Sequence, residues 1–247
     1  MNDKVNENAK VLADLVRGAN RIVFLGGAGV STESGIPDFR GSGGLYTERR
    51  SIPPEVILSH TFFLNRTEEF YKFYREKMLF PDAKPNAAHK ALAELERLGK
   101  LTAVLTQNID GLHQAAGSKR VIELHGSVLR NYCVSCGREY SLPFILESAG
   151  VPLCPSCGGV IKPDVVLYEE PLHEKDLIDA ERAICSADLL IVGGTSLTVN
   201  PAAGLVRFFS GGKFVIINRD QTPYDRLADH VFREPIGQLL GEAVALL

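Results

Sequence analysis

Short apolar runs alternating with amphipathic segments predict an α/β fold: a doubly wound, mainly parallel sheet carrying a helical insertion and a small inserted cysteine-bearing module. Three observations carry this. Four apolar runs end in small or hydrogen-bonding residues, a glycine turn follows the first run, and a cysteine-rich stretch interrupts the periodic pattern.

The first run, Ile22 to Leu25, sits between Arg21 and Gly26, the pattern of a strand buried on both faces. Upstream, Ala9, Leu12, Leu15 and Val16 recur at helical spacing, so a helix over 4–17 stopping at Gly18 is expected. After the strand, Gly26, Gly27 and Gly29 permit a tight turn where backbone N–H groups approach a phosphate, as at the head of a dinucleotide-binding unit. Thr32 stands where the third glycine of that fingerprint belongs, which makes the nucleotide site unusual in layout. Residues 35–44 form a glycine-rich loop with Phe39 and Arg40 embedded in it.

From 51 to 80, Phe70, Phe73, Tyr74 and Met78 lie at helical spacing behind Glu68 and Glu69, marking a helical insertion. A cleaner helix starts at Asn86 and stops at Gly99. Extended runs follow at 101–105 and 121–124. Turn residues and cysteines dominate 130–159, and an extended run returns at 165–168. A helix over 174–185, a strand over 189–192, a helical 201–209, a strand over 214–217 and a helix from Ile236 complete the pattern. In such sheets ligands bind beyond the carboxyl ends of the strands. The ends Gly26-Gly27, Thr106-Gln107, Gly194-Thr195-Ser196 and Asn218 therefore suggest one nucleotide-sized polar cleft.

The chain has 247 residues, 45% hydrophobic and 23% charged, with a net charge of −3. That balance gives no electrostatic reason to bind nucleic acid or an anionic membrane. No apolar run reaches the roughly 20 residues of a membrane span, and residues 1–8 lack the apolar segment of a signal peptide. A cytoplasmic monomer is expected.

Cys133-x-x-Cys136 and Cys154-x-x-Cys157, with 17 residues between the pairs, match the spacing of a four-cysteine zinc site, with buried thiols or a redox pair as the alternative. Four thiolates leave no open position, so such a zinc is structural. Cys185, late in an apolar helix, reads as core. His125 follows one strand, and Gln107, Asn108 and Asp110 follow another. A histidine there can act as a base near neutral pH, although a histidine taken singly is more often hydrogen-bonded into structure. His89 and His113 are weaker candidates, and His60, His173 and His230 read as surface groups.

Taken together, Gly27-Ala28-Gly29-Val30-Ser31, residues 35–40, Thr106 to Asp110, Glu123-Leu124-His125-Gly126, both cysteine pairs and Gly194-Thr195-Ser196-Leu197 with Pro201 resemble the sirtuin family of NAD-dependent protein deacylases. The resemblance runs in order from about 22 to 218. It implies a Rossmann-like NAD-binding domain over 1–40, 86–125 and 160–247, a helical insertion with a cofactor loop over 41–85, and a zinc-binding module over 126–159.

It also implies roles. Ala28, Thr32, Phe39 and Arg40 would contact NAD, Gln107, Asn108, Ile109 and Asp110 would surround the nicotinamide and its ribose, and His125 would be the general base. Asn108 and Asp110 would share in catalysis. Thr195, Ser196, Asn218 and Ile236 would hold the adenosine half, and Val165, Val166, Leu167 and Tyr168 would line the acyl-lysine tunnel and pair with an acetylated-lysine protein substrate. The implied reaction consumes NAD and gives free lysine, nicotinamide and O-acetyl-ADP-ribose. Protein ADP-ribosyl transfer and a zinc-bearing module that only senses NAD are the alternatives.

Two positions depart from the family pattern: Glu169 replaces a usual glycine, and Gly26 replaces a frequent threonine. Members that prefer succinyl or malonyl groups carry Tyr-x-x-Arg. Here Tyr71 is followed by Arg75 one place too late, a rotation of roughly 100° on a helix. Acetyl-lysine is the expected substrate.

Overall fold

A computed structural model describes residues 6–39, 41, 44–47 and 51–247. Helix α1 (Glu7–Gly18), capped by the Asn6 side chain, leads into β1 (Ile22–Gly26). Short 3-10 turns at Ala28–Val30 and Thr32–Ser34 follow. The helical insertion contains α2 (Pro54–Ile57), α3 (His60–Asn65) and α4 (Thr67–Lys77). Next come α5 (Ala87–Arg97), β2 (Leu101–Thr106), α6 (Leu112–Ala115) and β3 (Val121–Glu123). Strands β4 (Gly126–Cys133) and β5 (Glu139–Ser141), helix α7 (Leu142–Glu147) and strand β6 (Ile161–Val165) build the smaller unit. The chain closes with α8 (Glu174–Ser186), β7 (Leu189–Gly193), a 3-10 segment at Ala202–Phe208, β8 (Lys213–Ile217), β9 (His230–Phe232) and α9 (Ile236–Ala245). Among the described residues no helix is long and apolar enough to cross a membrane.

The main sheet has six strands in the order β3-β2-β1-β7-β8-β9, all pairings parallel. Alternation along β1 explains its double burial. Ile22 and Phe24 enter one core with α1, α5 and α9, while Val23 and Leu25 enter the opposite core with α8 and Ala202–Phe208. Phe24 is fully buried, so truncation to alanine costs about 3–5 kcal/mol. Its ring also accounts for Gly26: a Cβ there would lie 2.6 Å from Phe24 Cε1.

A third core joins α3 and α4 to the three-stranded antiparallel sheet β5-β4-β6. Phe63, Phe70, Tyr71 and Tyr74 pack there against Val128, Ile145 and Ile161, and the Tyr71 hydroxyl donates to the Ile161 carbonyl. Insertion and cysteine-bearing module thus share one lobe, which the linear sequence did not disclose. The extended run expected at 165–168 begins earlier, at Ile161, and Tyr168 forms a single bridge to Ser59. Cys185 is exposed, not core, because it lies one helical step beyond buried Ile184.

Candidate active site

At the carboxyl ends of β1, β2, β7 and β8, facing the smaller lobe, lies a cavity of about 1310 Å³. Part of its lining comes from two loops pressed together. The Gly27 N–H donates to the Gly193 carbonyl (3.2 Å), and the Gly29 N–H to the Gly194 carbonyl (2.8 Å). A Cβ on Gly29 would lie 2.8 Å from Gly194 Cα, so only glycine permits this approach. From the start of α5, Asn86 donates to the Val30 carbonyl (2.8 Å) and Ser34 Oγ (3.0 Å), fixing the far side of the turn.

A largely buried polar network lines the cavity. Ser31 Oγ donates to Asp110 Oδ2 (2.6 Å) and accepts from Asn108 Nδ2 (3.0 Å). Asp110 Oδ1 accepts the Leu112 N–H (2.9 Å), anchoring α6. Gln107 Nε2 reaches Thr195 Oγ1 (3.0 Å), and the Gln107 N–H donates to the Gly26 carbonyl (3.0 Å), so the ends of β1, β2 and β7 are tied through one residue. Such a network holds amides and a carboxylate in fixed orientation at the cavity.

His125 enters this cavity from the corner between β3 and β4. Its Nδ1 lies 3.0 Å from the Gln107 carbonyl, and its own carbonyl accepts the Val166 N–H (3.0 Å). Burial pushes its pKa below the ordinary histidine value, with the bond to the Gln107 carbonyl opposing. Gly126, at φ +73°, makes the corner possible, since a Cβ would lie 1.9 Å from the Asp164 carbonyl oxygen.

Ala28, Thr32 and Phe39 line the same cavity, as do Ile109 and Thr195. Arg40 lies outside the described residues. Ser196, Asn218 and Ile236 line the end near β7, β8 and α9. Val165, Val166, Leu167 and Tyr168 line the wall toward the smaller lobe, and the Tyr168 hydroxyl meets that of Tyr46 (2.5 Å). Glu169 has φ +76°, the left-handed region that glycine adopts freely. A glycine would hold this turn without strain. Glu169 turns its side chain to accept the Thr61 N–H at the start of α3 (2.9 Å).

Cys133, Cys136, Cys154 and Cys157 converge, with all four Sγ atoms within 4.8 Å of one another. The Cys133–Cys157 and Cys136–Cys154 separations are 3.4 and 3.7 Å. A tetrahedron with Zn–S bonds of about 2.3 Å has edges of about 3.8 Å, so the thiols fit one zinc ion.

A family model described as Sir2 family matches residues 27–201. The chain belongs to the Sir2 family. It is 57% identical over 241 residues to an NAD-dependent protein deacetylase of Clostridium acetobutylicum, covering 96% of this chain and 97% of the relative. It is 56% identical over 247 residues to the protein of that name from Clostridium perfringens, covering 99% and 100%. A solved Sir2 structure with a p53 peptide and NAD+ superposes with a TM-score of 0.86 at 43% identity, covering 96% of this chain and 97% of that one.

Two features of this Sir2 chain escaped the sequence reading. Ser31 sits between Asn108 and Asp110; its position in the glycine turn was visible, but its partners lie 77 and 79 residues away. His89 and His113 are both buried, with ring centroids 4.7 Å apart. By contrast, Arg75 bonds the Ile145 carbonyl (3.1 Å) and its guanidinium lies over the Tyr71 ring, and neither residue lines the cavity.

Proposed function

We propose that this Sir2 family chain is an NAD-dependent protein lysine deacetylase whose base is His125. The observation that carries the reading is one cavity holding the His125 imidazole, the Ser31–Asn108–Asp110 network and the glycine turn, drawn from distant parts of the chain. Relatives above 50% identity across nearly their whole length bear the name NAD-dependent protein deacetylase. A Sir2 structure with a deacetylated p53 peptide and 3′-O-acetyl-ADP-ribose, at TM-score 0.89, supports the same chemistry.

In this reading NAD is a consumed co-substrate. The acyl oxygen of acetyl-lysine displaces nicotinamide at the ribose, and the neutral His125 imidazole then takes a proton from a ribose hydroxyl, which attacks the acyl carbon. The C–N bond breaks as the lysine amine leaves with a proton, and one water then adds to the acyl carbon, opening the cyclic intermediate to O-acetyl-ADP-ribose. Nδ1–H donates to the Gln107 carbonyl, so Nε2 carries the lone pair. Asn108 and Asp110, held by Ser31, position the nicotinamide and its ribose together with Gln107 and Ile109. Ala28, Thr32, Phe39 and Arg40 contact the cofactor from the first turn and loop, and Thr195, Ser196, Asn218 and Ile236 hold the adenosine half. The substrate backbone adds as a strand along Val165–Tyr168. Water exclusion by this apolar wall protects the reactive stage.

Zinc bound by the four cysteines supplies folding free energy to the smaller unit. The division into a Rossmann-like domain over 1–40, 86–125 and 160–247, an insertion over 41–85 and a module over 126–159 goes with this reading, as do a monomeric state, a cytoplasmic location and no direct nucleic-acid or membrane partner. With Arg75 engaged outside the cavity, acetyl is favoured over succinyl or malonyl lysine. Mass spectrometry of a panel of acylated peptides incubated with NAD tests this. Deacetylated peptide with O-acetyl-ADP-ribose is expected; ADP-ribose attached to protein, or faster desuccinylation, would contradict it.

A further inference from the structure

The His125 corner is flanked by two largely buried carboxylates. Glu123 ends β3 of the six-stranded sheet, and Asp164 belongs to β6 of the small one. Their side chains are 10% and 15% exposed. Left without a partner, two such largely shielded charges would be costly; the Arg130 side chain itself is 47% exposed. Arg130 answers both: one terminal nitrogen lies 2.7 Å from Glu123 Oε2, and Nε lies 2.8 Å from Asp164 Oδ2. The remaining Glu123 oxygen accepts Gln114 Nε2 (2.8 Å).

Arg130 reaches across because β4 is irregular. Ser127 pairs with Asp164 and Asn131 with Pro163, so residues 128–130 bulge out of the β4–β6 ladder, while Arg130 stays in register with Ser141 of β5. The bulge sends Val128 and Leu129 into the cavity wall, with the Val128 N–H bonding the Ile109 carbonyl (3.0 Å). It leaves the Arg130 guanidinium spanning the outer side of the corner. On the inner side, His125 is held by the Gln107 carbonyl and the Val166 N–H.

We propose that Arg130 is a positioning residue: its two-armed bridge between Glu123 and Asp164 locks the two sheets at the angle that sets His125 toward the ribose. This rests on the assignment of His125 as the base. A planar guanidinium bonds two carboxylates in a fixed geometry, which an ammonium cannot.

The base acts after nicotinamide has left, so nicotinamide exchange samples the step before it and deacetylation samples the step that needs it. Labelled nicotinamide exchange and peptide deacetylation should be measured side by side for wild type, Arg130→Met and Arg130→Lys, together with thermal unfolding. Arg130→Met is expected to slow deacetylation about tenfold while exchange stays within about twofold, with Arg130→Lys intermediate. Loss of both reactions in equal proportion, or of neither, overturns the proposal. If Arg130→Met does not fold, Glu123→Gln removes one arm, and the same split is expected. A wild-type protein with neither reaction sinks the functional reading and this brace together; an active wild type with proportionate losses sinks only the brace.

Discussion

The imidazole of His125 is 3.0 Å from the backbone carbonyl of Gln107, 18 residues earlier in the chain. A carbonyl can only accept, so Nδ1 carries the proton and the neutral ring keeps its basic lone pair at Nε2. The Gln107 side chain is meanwhile held by Thr195, and its N–H by Gly26. One residue therefore fixes the tautomer of the base and joins three strand ends. A backbone partner also makes the tautomer independent of side-chain substitution at position 107.

Acid should destabilise the fold through its buried histidines. Burial, reinforced by the neighbouring His89, pushes His113 down to about 3, and burial pushes His89 down to about 4 against the opposing charge of Asp110. The unfolded chain takes up these protons below about pH 6.5, so stability is greatest above that value and falls as pH drops toward 4. Each histidine contributes about 1.4 kcal/mol per pH unit where only the unfolded form is protonated. Denaturant unfolding between about pH 7 and pH 5 should show this fall, and His113→Phe should flatten it by about 1 kcal/mol per unit. An unchanged slope in the variant would contradict neutral burial.

Metal removal should inactivate the enzyme by loosening the small sheet, not by removing a reactive centre. The four cysteines close the end of β4 opposite His125, and β4 also supplies Val128, whose N–H holds Ile109. Chelation with verified zinc loss should abolish deacetylation and expose residues 126–165 to protease. Full activity after verified removal would overturn a structural zinc.

Position 169 separates backbone strain from side-chain bonding. Glu169→Ala keeps the left-handed backbone and loses the acceptor for Thr61, whereas Glu169→Gly relieves the backbone while losing the same acceptor. The alanine variant should melt about 2–4 °C below the glycine variant. Equal melting temperatures would remove strain from the account.

Much of this was legible beforehand, for local reasons. Ile22–Leu25 read as a doubly buried strand because every residue is apolar, and the cysteine spacing encodes a tetrahedron within two tight turns. Ends such as Asn86 and Gly99 carry their own capping chemistry. What remained hidden depends on contacts between distant segments. Strand β9 is three residues long and leaves no periodic trace, β4 is disguised by its bulge, and the shared core of insertion and module pairs Tyr71 with Ile161, 90 residues apart. Cys185 misled because an apolar helix face is only as wide as its neighbours make it.

The most direct test is the rate at which His125→Ala converts an acetylated peptide and NAD into deacetylated peptide, set beside wild type and with folding checked by thermal unfolding. Loss of a positioned base predicts a fall of about a hundredfold or more in a folded protein. Turnover within about twofold of wild type would contradict the assignment of the base and the mechanism built on it.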